Sequence, residues 1–210
     1  TRWSAYPPLA LRPRSVWSGG VGSEHDRVVE ALHSVPRAGF LPLQVRALAG
    51  ADRALPIGHG ATNSQPWTVR FMLELLAVPS GARLLDVGSG SGWTTALLAH
   101  LTGPTGSVLG VEIVPELVAM GRRTLAAAGF GWATIEPATT VLGAPEAGPF
   151  DRILVSADAG RIPTELEAQL ALGGRMVLPA AGVMWVVDRE QDNWNRAPVN
   201  EHRFSFVPLV

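Results

Sequence analysis

The stretch Arg83-Leu-Leu-Asp-Val-Gly88-Ser-Gly-Ser-Gly92-Trp93-Thr-Thr-Ala-Leu-Leu-Ala-His100 decides the fold. A short apolar run, Arg83 to Val87, enters a turn with glycine at every second position, and the apolar segment behind it has the length of a helix. A second strand-like run follows and ends in Glu112. A glycine turn between strand and helix lets a ligand approach the backbone without meeting a Cβ, and an acid about 20 residues on, at the tip of the next strand, is placed to hold ribose hydroxyls. A turn whose glycines serve backbone geometry alone would leave that acid unexplained.

The residue after the third glycine narrows the ligand. Dinucleotide binding favours Gly-x-Gly-x-x-Gly, with the last glycine relieving close packing beside the pyrophosphate. Here that position holds Trp93. A Gly-x-Gly-x-Gly turn followed by a bulky residue suits a ribose-bearing ligand without a pyrophosphate, and S-adenosylmethionine is the commonest. Gly88, Ser89, Gly90, Gly92 and Asp86 are then expected at its amino-acid end and Glu112 at its ribose.

Outward from this unit, apolar periodicity predicts strands at about 83–87, 107–112, 131–135, 151–156 and 174–179, with helices at about 92–101, 115–128 and 163–171. The alternation predicts an α/β fold, a doubly wound, mostly parallel Rossmann-like sheet with ligands at the carboxyl ends of its strands. Two further apolar runs, 183–187 and 203–207, read as antiparallel C-terminal edge strands. Ahead of the sheet lies a helical layer: a helix from Ser23 that ends before Pro36, and another from Pro66 that ends before Pro79. Residues 1–22, rich in Pro, Arg, Gly and Trp, read as an extended arm, and residues 23–210 as one domain. The chain begins at Thr1, which leaves N-terminal processing open, and no signal-peptide core follows it.

Composition narrows the chemistry. All 17 basic residues are arginine, so lysine Schiff bases, lysine general bases and Gly-Lys phosphate loops are excluded. Zero cysteine removes thiol nucleophiles and disulfides and fits a cytoplasmic protein. A net charge of −1 without a basic run argues against nucleic acid, and no apolar run has membrane-spanning length. The five histidines share no ligand spacing, so no metal is expected. No Gly-x-Ser-x-Gly elbow occurs. His59, between two glycines, reads as an uninvolved loop residue. Small molecules or peptides are the expected partners; the oligomeric state is left open, with a monomer slightly favoured.

Several segments together resemble the protein-L-isoaspartate O-methyltransferase family. They are Val35-Pro-Arg-Ala-Gly-Phe-Leu-Pro42, Asp52-Arg-Ala-Leu-Pro-Ile-Gly-His-Gly-Ala-Thr-Asn-Ser-Gln-Pro66, Leu84 to Trp93, Pro149 to Val155, Gln169 to Pro179 and Phe206-Val-Pro-Leu209. The resemblance spans about residues 24–209. It implies methyl transfer from S-adenosylmethionine to a carboxylate of an isoaspartyl peptide or protein. It further implies Ser64 at the reacting centre, cofactor contacts from Thr62 and Thr139, and substrate contacts from Ile57, Gly58, Asn63 and Val207. On spacing alone Ser64, ahead of Gln65-Pro66 and an apolar run, is a helix N-cap.

Two departures stand out. Ala138-Thr139-Thr140 takes the place of the family's usual Gly-Asp-Gly, which removes an acidic contact to the adenine, and Asn63 replaces a usual isoleucine. They keep two alternatives open: a diverged relative that methylates normal aspartate in a dedicated precursor peptide, and a binding module without turnover.

Overall fold

A computed structural model describes residues 21–191, 193–199 and 204–209. Its centre is a seven-stranded sheet. The parallel part comprises β3 (Arg83–Val87), β4 (Ser107–Glu112), β5 (Ala133–Pro137), β6 (Phe150–Val155) and β7 (Leu170–Ala180); β8 (Val183–Arg189) and β9 (Trp194–Val199) continue it antiparallel. The spatial order is β5-β4-β3-β6-β7-β8-β9. From β3 the chain winds one way through β4 and β5, then returns to the other side of β3 with β6, so the order reverses between β3 and β6. Such a switch point opens a crevice at the carboxyl ends of the strands, which is where open α/β sheets bind ligands.

At the centre of the sheet both faces are covered, so β3 is buried along its whole length after Arg83. The two-residue period of β3 sends Leu84 to one core, under α1 (Val21–Ser34), α3 (Pro66–Leu76), α4 (Trp93–Thr102) and α5 (Pro115–Ala128), and Leu85 and Val87 to the other. The second core is closed by Leu166 of the short α6 (Thr164–Glu167) and by Leu142 and Ala144. Gly92, at φ 86°, opens α4 hard against α5: a Cβ there would stand 3.1 Å from the Gly121 carbonyl oxygen. The glycine turn thus also seats two helices on each other.

A small hairpin lies before the sheet, with β1 (Leu55–Gly58) antiparallel to β2 (Ala61–Asn63). Its two-residue turn, His59 and Gly60, has φ of 54° and 75°, the left-handed pair that tight hairpins with native twist require. A one-turn helix, α2 (Leu43–Arg46), precedes it.

Several boundaries differ from the sequence reading. Helix α1 begins at Val21 rather than Ser23, so the expected arm of 1–22 loses its last two residues to the helix, and residues 1–20 lie outside the described part. Strand β5 starts two residues late because Gly131 and Trp132 belong to the turn after α5. The helix expected at 163–171 is only one turn long, since Leu170 already pairs with Phe150. Among the described residues the last edge strand is Trp194–Val199; of the run expected at 203–207, residue 203 lies outside the described part and 204–207 form no strand, and Pro198 is tolerated because β9 ends the sheet. No described helix is long and apolar enough to cross a membrane.

Candidate active site

A cavity of about 550 Å3 occupies the crevice. Val87, Gly88 and Gly90 form its floor after β3, Glu112 to Val114 follow β4, Ala138 to Gly143 follow β5, and Ser156 and Ala157 follow β6. Every one of these segments is the carboxyl end of a parallel strand. Glu112 is nearly buried, and each carboxylate oxygen accepts one backbone N–H, Oε2 from Gly90 at 2.8 Å and Oε1 from Val114 at 3.0 Å. A carboxylate has about four lone-pair positions, so Glu112 retains acceptor capacity toward the cavity it lines.

The turn itself is satisfied internally. Gly88 and Ser89 donate their N–H groups to the Val111 carbonyl, Gly90 to Glu112 and Gly92 to the Ser89 carbonyl. With these donors engaged, the turn offers a ligand carbonyl oxygen and bare Cα surface. Asp86 does not reach the ligand space either. The strand period places it on the face under α4, wholly buried, where its carboxylate accepts the hydroxyls of Thr95 at 2.7 Å, Thr94 at 2.8 Å and Ser156 at 3.2 Å. Burial pushes this carboxyl above its usual range while the three hydroxyls pull it back. Asp86 therefore clamps the start of α4 to β6, and Ser89 and Gly92 likewise stand outside the cavity lining.

A second cleft of about 290 Å3 adjoins the first and shares Thr62, Ser156 and Val207 with it. Ser64 lies in this cleft, with Trp67 and Phe206 as aromatic walls. Among the described residues its lining carries hydroxyls and one amide but no ionisable side chain. Ser64 is not a helix cap: α3 begins at Pro66, and the Trp67 N–H is accepted by Asp52 Oδ1 at 2.9 Å. Val207 is held in the shared wall by Asp158, whose N–H donates to the Val207 carbonyl and whose carbonyl accepts the Leu209 N–H, both at 2.8 Å.

Three expected substrate residues sit elsewhere. Ile57 is buried in a small core with Leu41, Leu55 and Leu117. Gly58 belongs to the hairpin and lines neither space. Asn63 is only 4% exposed and faces inward, accepting from Arg37 and donating to Ser91. Thr139 does line the large cavity, with its hydroxyl bonded to its own loop at Val141. Sequence reasoning missed Ser156, which stands where the sheet order reverses, and His59 and Arg161, the only basic residues among the described ones that line the cavity. Trp93, read as a marker of ligand type, is instead a buried anchor that donates its indole N–H to the Val35 carbonyl at 3.0 Å.

Residues 19–210 match the family model described as protein-L-isoaspartate(D-aspartate) O-methyltransferase. A protein-L-isoaspartate O-methyltransferase of Anaeromyxobacter dehalogenans (strain 2CP-1 / ATCC BAA-258) is 47% identical over 206 residues, covering 93% of this chain and 95% of the relative. The chain belongs to this family. Another methyltransferase of this name, from Methanothrix thermoacetophila, is 47% identical over 188 residues and 88% of each chain. Among solved structures, a protein-L-isoaspartate O-methyltransferase superposes with a TM-score of 0.79 at 22% identity, over 90% of this chain and 62% of that one. A Plasmodium falciparum chain assigned to the same activity, solved with S-adenosyl-L-homocysteine, gives 0.78 at 24% identity, over 94% and 93%. Both likenesses show that the family fold is this fold.

Proposed function

We propose that this protein methylates the free carboxylate of an L-isoaspartyl residue in peptides or proteins, using S-adenosyl-L-methionine. The observation that carries the reading is the pair of joined spaces: a large cavity lined by Glu112 at the end of β4, and a hydroxyl-lined cleft holding Ser64, in contact through Thr62, Ser156 and Val207. The residues suit the cofactor. Glu112 has acceptors for ribose hydroxyls, the carbonyl-presenting turn suits an ammonium group, and Ile113 and Val141, about half exposed at the rim, give apolar surface for a purine. S-adenosylmethionine held there supplies a methyl group on a cationic sulfur, which the acceptor carboxylate oxygen takes as the carbon–sulfur electron pair returns to sulfur.

The chain's own part is positioning. A carboxylate is ionised at neutral pH and needs no base, so residues that orient it suffice. Ser64 donates one hydrogen bond to the acceptor carboxylate, and Val207 and Phe206 close the junction against water. Asn63 faces away from the cleft, so its departure from the family pattern gives no reason to expect a different acceptor. The test is incubation with S-adenosylmethionine and an isoaspartyl peptide, read by mass spectrometry and base lability. One base-labile methyl ester per isoaspartate supports the reading; intact peptide, with cofactor binding demonstrated, refutes it.

A further inference from the structure

Arg37 is a buried cation whose hydrogen bonds go to no carboxylate. Its Nη2 donates to the carbonyls of Arg53, Asn63 and Ser64, each at 2.9 Å, and its Nη1 to that of Ala51 at 3.1 Å. One guanidinium thereby gathers the segment entering β1 and the segment leaving β2, including the backbone of Ser64. Its Nε donates to Asn63 Oδ1 at 2.7 Å. Guanidinium can only donate, so this contact settles the orientation of the amide and turns Asn63 Nδ2 toward Ser91 Oγ, 3.1 Å away.

Ser91 belongs to the glycine turn, is 2% exposed, and its carbonyl accepts the Thr124 hydroxyl of α5 at 2.6 Å. Arg37 also lies over the ring of Trp93, the first residue of α4, at 5.5 Å from its centroid. The Asn63 amide is thus a side-chain bridge between the Ser64 segment and the turn under the cofactor cavity, in a buried setting where an unmade bond is costly.

We infer that Arg37, Asn63 and Ser91 form a positioning chain that ties the acceptor segment at Ser64 to the cofactor turn, so that each half of the site sets the other's geometry. An aliphatic residue at position 63 could fill the space but make neither bond. The inference rests on the cofactor half of the proposed function, and Asn63 itself lines neither cavity nor cleft.

The experiment is titration of S-adenosyl-L-homocysteine by calorimetry into the full chain and into Asn63→Leu, Ser91→Ala, the double variant and Asn63→Asp, with thermal melting of each. Ser91→Ala leaves Arg37 fully bonded and guards against loss of folding. Each of the first two is expected to weaken binding about ten-fold, and the double variant no more than the worse single, because both cut one link. Asn63→Asp should return to within about three-fold of wild type, since its carboxylate accepts from Arg37 and from the Ser91 hydroxyl. At saturating ligands kcat on an isoaspartyl peptide should fall with Asn63→Leu and recover with Asn63→Asp. Unchanged affinity in folded variants, or losses that multiply in the double variant, overturns the chain. A wild-type protein that does not bind the ligand overturns the proposed function first and the chain with it.

Discussion

Replacing Glu112 by glutamine separates the two tasks of that side chain. Each oxygen accepts one backbone N–H, Gly90 at 2.8 Å and Val114 at 3.0 Å. Glutamine keeps one carbonyl oxygen and turns an NH2 group toward the other N–H, which removes a charge-assisted bond and leaves a nearly buried donor unpaired. Loss of such a bond with its donor left unpaired is worth about 1.5–3 kcal/mol, equal to a fall in Tm of about 3–12 °C for a domain of this size. The same change replaces a charged acceptor for the ribose by a neutral one, worth about 10- to 100-fold in Kd for S-adenosyl-L-homocysteine. Calorimetric titration well below the variant's Tm reads the second effect apart from the first. A variant with lowered Tm whose Kd stays within about two-fold of wild type would refute the ligand role and leave Glu112 as a loop clamp.

Ser64→Ala should lower kcat on an isoaspartyl peptide about ten-fold or more, with Tm little changed, as measured by steady-state kinetics and melting. Asp86→Asn should shift the acid limb of stability. The folded carboxyl is raised above its unfolded value by burial, so wild-type stability is lost as pH rises from the unfolded pKa through the folded one. Denaturant titrations across the acid range should therefore show Asp86→Asn gaining on wild type as pH rises; a gap independent of pH would contradict this. Gly92→Ala should destabilise by about 2–4 kcal/mol in a urea melt, from left-handed backbone and from a Cβ 3.0 Å from Ile135 Cδ1 and 3.1 Å from the Gly121 oxygen.

The parts legible in the sequence are those governed by local pattern. Strands 83–87 and 107–112 coincide with β3 and β4 because Gly81 and Gly88 bound the first, while Gly106 precedes the second and Pro115 opens the helix after it. The turn-to-Glu112 spacing pointed to residues that line one cavity, since a strand, a helix and a return strand fix that distance. Side-chain direction was less accessible. Asp86 and Asn63 sit in motif positions that read as ligand contacts, yet strand parity turns Asp86 under α4, and the bond from Arg37, 26 positions away, turns Asn63 inward. The β1–β2 hairpin escaped notice because Pro56 and three consecutive residues of positive φ hide a strand signal. The cap of α3 by Asp52 is a long-range contact that no helix-start pattern announces.

The measurement that bears most directly on the account is kcat/KM for methyl transfer to two peptides identical except for one residue, isoaspartate in one and normal aspartate in the other. The account predicts base-labile methyl ester on the isoaspartyl peptide and none above background on its partner. Equal transfer to both, or transfer to the aspartyl peptide alone, would contradict it.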